Sequence, residues 1–292
     1  LYVQPKNKID VLFLGSSHVH CNVNTQLLWD EYGMAAYLMT GAEQPLWNSY
    51  YNLKEALKTQ KPKLVVLDMF CPSRFYDDFQ PGWADENLDG MRISLNKLEA
   101  VYTSVQEEQS HFFLGFTEYH SRYDQLTTED FQNFVWNRKT QERWKGYTPL
   151  NRHAELTEPD MSHVTTSQEM TEKSKEYFEK IVELTKKEGI ALALISGPYL
   201  LEESDQEVYN SIGQLAEKDG LLFWNTNTPA HYWEMGLDFS TDYADHAHLN
   251  EAGGAKYTAY LGKWLSQNYS FPDRRGQKGY ESWENQLMKS GE

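Results

Sequence analysis

Two stretches, Val11-Leu12-Phe13-Leu14 and Leu64-Val65-Val66-Leu67, are apolar at every position. A strand with one wet face alternates apolar and polar residues. A strand with no alternation needs cover on both faces, as in parallel sheets flanked by helices. Ile9–Leu14, Ala35–Thr40, Lys63–Asp68, Ile190–Ile195 and Leu221–Trp224 read as five such strands. Between them lie helical patterns at Asn24–Tyr32, Pro45–Gln60, Glu169–Lys187, Glu203–Lys218 and Glu251–Gln267. Several start or stop at helix punctuation: Pro45 at an entry, Gly33, Gly189 and Gly220 at exits. The alternation predicts an α/β fold, a three-layer α/β/α domain over residues 1–268 with a five-stranded parallel sheet.

Residues 70–168 break the alternation. The stretch is too long for a plain connection and is expected to be a helical insertion over the sheet edge, with pieces at Ser94–Gln106 and Thr128–Asn137. The tail, 269–292, is polar and Gly-rich with one amphipathic piece near Trp283–Met288, and is expected to be partly disordered.

Composition narrows the function classes. With 43 acidic and 27 basic side chains the formal charge is -16, which excludes nucleic acid as a natural partner. Aromatic residues make up 14% of the chain, enough to fill a core and leave rings for a sugar-binding surface. The two cysteines, Cys21 and Cys71, are no disulfide framework and are expected to be free and buried. His18, His20 and Cys21 lack further converging ligands, so neither a metal nor another cofactor is expected.

Two motifs carry chemistry. Gly15-Ser16-Ser17 follows the first strand, and Asp245-His246-Ala247-His248-Leu249-Asn250 precedes the last helix. A serine hydroxyl attacks only when a base takes its proton and a third group orients that base. Asp245 and His248 are three residues apart, close enough for the carboxylate to hold one ring nitrogen and leave the other for Ser17. His246 and Asp242 are rivals for these roles.

The residues Gly-x-Ser17 and Asp245-x-x-His248-Leu249-Asn250 resemble the SGNH (GDSL-type) hydrolase superfamily. The string Phe13-Leu14-Gly15-Ser16-Ser17-His18 is similar to its DltD-like, acyltransferase-like branch of Gram-positive bacteria. The likeness covers roughly residues 9–70 and 188–268. It implies strand order 2-1-3-4-5, with Ser17 as nucleophile, His248 as base and Asp245 as orienter. It also implies an oxyanion hole made by the N–H groups of Ser17 and Gly41, with Gln44 and Asn48 on the same edge. In the insertion, His120 and Arg122 are candidate substrate contacts.

One departure stands out. The superfamily's Gly-x-Asn-Asp after the third strand is replaced here by Asp68-Met69-Phe70-Cys71-Pro72. Losing one oxyanion donor typically costs about 3–4 kcal/mol of transition-state stabilisation. The departure and the DltD-like string favour O-acyl transfer, in particular acetyl transfer, to a bacterial surface or cell-wall glycopolymer. The alternatives are a carbohydrate esterase running the same chemistry with water, and a catalytically silent glycan-binding module. The resemblance further implies work outside the cytoplasm, an N-terminal membrane segment preceding Leu1, and a membrane-bound O-acyltransferase as partner.

Overall fold

A computed structural model of the chain describes residues 1–74, 78–79, 81–107, 109–113 and 144–284. Five strands form one parallel sheet: β1 (Val11–Gly15), β2 (Ala36–Thr40), β3 (Leu64–Asp68), β4 (Ala191–Ser196) and β5 (Leu222–Asn225). Their order is β2-β1-β3-β4-β5. Val11 lies opposite Ala36 on one side and Leu64 on the other, and Leu64 lies opposite Ala191. The expected α/β fold, sheet and strand order are therefore those observed.

Successive residues of a strand point to opposite faces. Leu12, Leu14, Val65 and Leu67 join one buried cluster, and Val11, Phe13, Leu64 and Val66 join the other. The first face is covered by α3 (Leu46–Leu57), α7 (Glu172–Glu188) and α8 (Glu203–Asp219); the second by α2 (Thr25–Tyr32) and α10 (Glu251–Asn268). This is why both apolar runs lack polar alternation.

Shorter helices lie outside the five helical patterns above. They are α1 (Ser17–Asn22), α4 (Phe70–Arg74), α5 (Ala84–Leu88) and α9 (Pro229–Met235). In the expected insertion, α6 (Leu95–Ser104) falls within the predicted Ser94–Gln106 piece, with Ser94 as its N-cap. The predicted Thr128–Asn137 piece lies outside the described residues. Residues 149–170 run without helix and touch the C-terminal part of the chain through an Ala154–Tyr243 bridge.

The described part of the tail, residues 269–284, packs against the rest of the chain. Trp283 is fully buried, and its indole N–H donates to the Ala36 carbonyl at 3.0 Å, covering the outer edge of β2. Arg274 forms a two-pronged ion pair with Asp10, at 2.7 and 2.8 Å. No described helix is long and apolar enough to cross a membrane.

Candidate active site

β1 ends on Gly15, and the chain turns into α1 at once. Ser16 is the N-cap: its hydroxyl accepts the His18 N–H at 3.3 Å, which satisfies one of the donors a helix start leaves open. Ser17 is the first residue of α1 and stands at the carboxyl end of the sheet, where such folds bind ligands. Its own N–H has no acceptor among the described residues.

Hydrogen bonds between α1, α10 and the loop before it bring the second motif to Ser17. The Leu249 N–H donates to Oδ1 of Asn22, at the end of α1, at 3.0 Å. The Thr258 hydroxyl, on α10, donates to the Asn22 carbonyl at 3.1 Å and accepts the Asn24 N–H at 2.9 Å. Asn250 caps α10 by accepting the N–H groups of Ala252 and Gly253, each at 3.1 Å. α10 lies so close to the preceding loop that a Cβ on Gly253 would stand 2.2 Å from the Asp242 carbonyl.

Ser17 Oγ lies 2.8 Å from His248 Nε2, and His248 Nδ1 lies 2.8 Å from Asp245 Oδ1. An ionised carboxylate only accepts, so the ring proton sits on Nδ1. Nε2 then carries a lone pair and takes the serine hydroxyl proton. The same Asp245 oxygen accepts the N–H groups of Ala247 (2.9 Å) and His248 (3.0 Å). Its other oxygen accepts from Arg152 at 2.9 Å. Burial pushes the Asp245 carboxyl up, but the His248 ring, the Ala247 N–H and Arg152 outweigh it and hold the carboxyl below its ordinary range. The His248 side chain is 20% exposed and that of Asp245 27%, so the chain of groups opens to solvent.

Of the rivals, Asp242 is committed elsewhere: it accepts from Lys256 at 2.7 Å and from the Asp238 N–H at 2.7 Å. His246 gives its carbonyl to the Leu200 N–H at 2.9 Å, and no contact links its ring to Ser17 among the described residues.

Gly41 and Asn48 depart from expectation, and Gln44 is tied to neighbouring groups. The Gly41 N–H, expected at the oxyanion, donates to the Gly15 carbonyl at 3.3 Å because the β1–β2 ladder runs one residue past the strand. The Gln44 amide donates to Ser49 at 3.0 Å and the Met39 carbonyl at 3.4 Å, and accepts from Asn52 at 2.8 Å. Asn48 accepts from the Ser104 hydroxyl, since α6 packs on α3. Both amides are buried and tie elements together; Gln44 also lines a cavity beside His20 and Thr40. His120 and Arg122 lie outside the described residues.

Several other side chains lie near this site. His18 stacks on Phe70 at 3.5 Å between ring centres and meets Tyr199 edge-on. Burial, then the nearby His248, pushes its imidazole well below its ordinary value, so it is neutral at pH 7. His20 bonds Thr40 at 3.2 Å, and burial with His248 lowers it to about 4. His20 and Thr40 line a cavity of about 840 Å³ that runs along β2 toward α5. Cys21 and Cys71 are free and buried. Among the described residues no three His, Cys, Asp or Glu side chains converge as metal ligands.

No family model and no curated protein matches the chain by sequence. Among solved structures, the chain is similar to the crystal structure of a candidate acylhydrolase from Bacteroides fragilis NCTC 9343. The two are 13% identical, with 91% of this chain and 90% of that one covered and a TM-score of 0.44.

Proposed function

We propose that this chain is a serine-dependent enzyme of acyl esters. The observation that carries the reading is the hydrogen-bonded series from Ser17 Oγ through His248 to Asp245, 2.8 Å at each step. In the first half-reaction Ser17 Oγ bonds to the ester carbonyl carbon while His248 Nε2 takes its proton. The carbonyl oxygen gains charge beside the Ser17 N–H, which has no acceptor among the described residues and stabilises it. The bond to the leaving alcohol then breaks, the alcohol takes the proton from His248, and the acyl group stays on Ser17. In the second half-reaction an acceptor hydroxyl gives its proton to His248 and bonds to the acyl carbon; the bond to Ser17 Oγ then breaks, and Ser17 takes the proton back from His248.

The acceptor we propose is a hydroxyl of a bacterial surface or cell-wall glycopolymer, with acetyl as the group moved. The DltD-like string around Ser17 and the absent Gly-x-Asn-Asp support transfer. On the same grounds we propose an extracytoplasmic setting and a membrane-bound O-acyltransferase as the source of the acyl group. Hydrolysis uses the same residues with water as acceptor, and water exclusion decides between the two.

Incubation with an acetyl donor and neutral oligosaccharides, followed by mass spectrometry, tests both levels. Acetylated sugar that requires Ser17 supports transfer. Free acetate at every acceptor concentration makes the enzyme a hydrolase. Glycan binding with no labelling of Ser17 by a serine-directed phosphonate makes it a binding module.

A further inference from the structure

Asp68 ends β3 where the resembled superfamily begins its Gly-x-Asn-Asp, and it faces the turn that presents Ser17. Its Oδ2 accepts both the N–H (3.3 Å) and the hydroxyl (2.9 Å) of Ser16. Its Oδ1 accepts the Phe70 N–H at 3.3 Å. The Ser16 hydroxyl in turn accepts the His18 N–H, so one side chain links β3 to the cap of α1. Gly15 fits the same arrangement: its φ is +147°, and a Cβ there would stand 2.4 Å from the Asp68 Cβ. The turn therefore lies flat on the aspartate. Asp68 itself is buried, 3% exposed, and reaches no substrate-accessible surface.

We propose that Asp68 is a positioning residue for the nucleophile, acting through Ser16 to fix where Ser17 Oγ meets His248 Nε2. This rests on the serine-enzyme reading above. The chemistry requires a carboxylate. Three donors converge on its two oxygens, and only a group that accepts at both ends satisfies all three. An asparagine of the same shape places an NH2 against either the Ser16 donors or the Phe70 N–H. One end of the link then turns repulsive, and the cap shifts without opening a cavity. Geometry errors of this size at a nucleophile act on the chemical step rather than on substrate affinity.

The test compares wild type with Asp68→Asn, Ser16→Ala and the double variant, using an aryl acetate for turnover and a serine-directed phosphonate for labelling. Circular dichroism confirms the fold. Asp68→Asn is expected to lower kcat and the labelling rate about 10- to 100-fold with KM changed less than about threefold. Ser16→Ala should do the same, and the double variant should lie within about twofold of the worse single one, because both act through one link. Wild-type labelling at Ser17 with an equal rate in Asp68→Asn overturns the positioning role and leaves the serine-enzyme reading standing. So do effects that multiply in the double variant. Absence of labelling in the wild type overturns that reading, and the positioning role with it. If Asp68→Asn does not fold, Ser16→Ala decides: unchanged kcat there overturns the proposal.

Discussion

The Leu249 N–H reaches Oδ1 of Asn22 across 227 positions of chain, at 3.0 Å. That bond joins the helix that starts on Ser17 to the loop that carries His248. Both partners are fully buried, so water does not substitute for either. The Nδ2 of the same amide has no partner among the described residues, a cost accepted to keep the oxygen pointed at the loop.

Asn22→Ala should therefore hurt twice. It strands a buried N–H, which costs about 1–3 kcal/mol. It also frees the His248 loop from α1, and the labelling rate at Ser17 should fall at least about tenfold. Denaturant unfolding and phosphonate labelling read the two effects. A stability loss with no change in labelling would show that the loop is held by its other contacts alone.

Much of this was legible in the chain because it depends on local pattern. The unbroken apolar runs predict a sheet covered on both faces, and Val11 to Leu14 do alternate between two buried clusters. Asp245 and His248 lie within one turn of chain, so their contact follows from spacing. What stayed hidden depends on residues far apart. Asp68 meets Ser16 across 52 positions and Arg152 meets Asp245 across 93. Gln44 and Asn48 look like free polar groups until α6 and the end of β2 are packed against them. Gly41 misled because nothing in a Gly after a strand tells whether the ladder stops before it. Trp283 and Tyr280 stand out in a polar tail, but the partners that bury them lie far away in the chain.

Arg152 offers a milder test. It is 66% exposed, and an ion pair so wet contributes about 0–1 kcal/mol. Its lasting effect is on Asp245, whose carboxyl it helps hold below the ordinary range. A depressed carboxyl keeps its stabilising contribution above the unfolded value and loses it as pH falls through the folded one. Arg152→Ala should move that loss to higher pH and leave turnover at pH 8 within about threefold of wild type. A large loss of turnover at pH 8 would mean that Arg152 touches the substrate.

Gly15→Ala addresses the turn itself. A side chain there meets the Asp68 Cβ at 2.4 Å and must adopt a φ of +147°. Strain and overpacking together should cost at least about 2 kcal/mol, with little or no labelling of Ser17 in the protein that still folds. A variant of wild-type stability would show that β1 and β3 separate easily at this end.

Asp68 also ties stability to pH, with a sign opposite to that of an ordinary paired carboxylate. Burial raises its carboxyl from 3.8 to about 6, against the pull of the Ser16 and Phe70 donors. Cys71 and Tyr257 face the same carboxylate, and burial holds both well above neutrality, so Asp68 alone among the three titrates between pH 5 and 7.5. The native state binds that proton more tightly than the unfolded chain. Its stabilising share is therefore complete below about 3.8 and is lost as pH rises through about 6. An asparagine side chain has no such proton, so the substitution Asp68→Asn should gain on wild type by on the order of 1 kcal/mol between pH 5 and 7.5. Thermal midpoints of the two proteins at both pH values measure this. The expected pattern is a variant that becomes relatively more stable toward neutral pH while labelling slowly at Ser17. A wild type that gains on the variant as pH rises would mean the carboxylate is more stabilised by its three donors than it is penalised by burial.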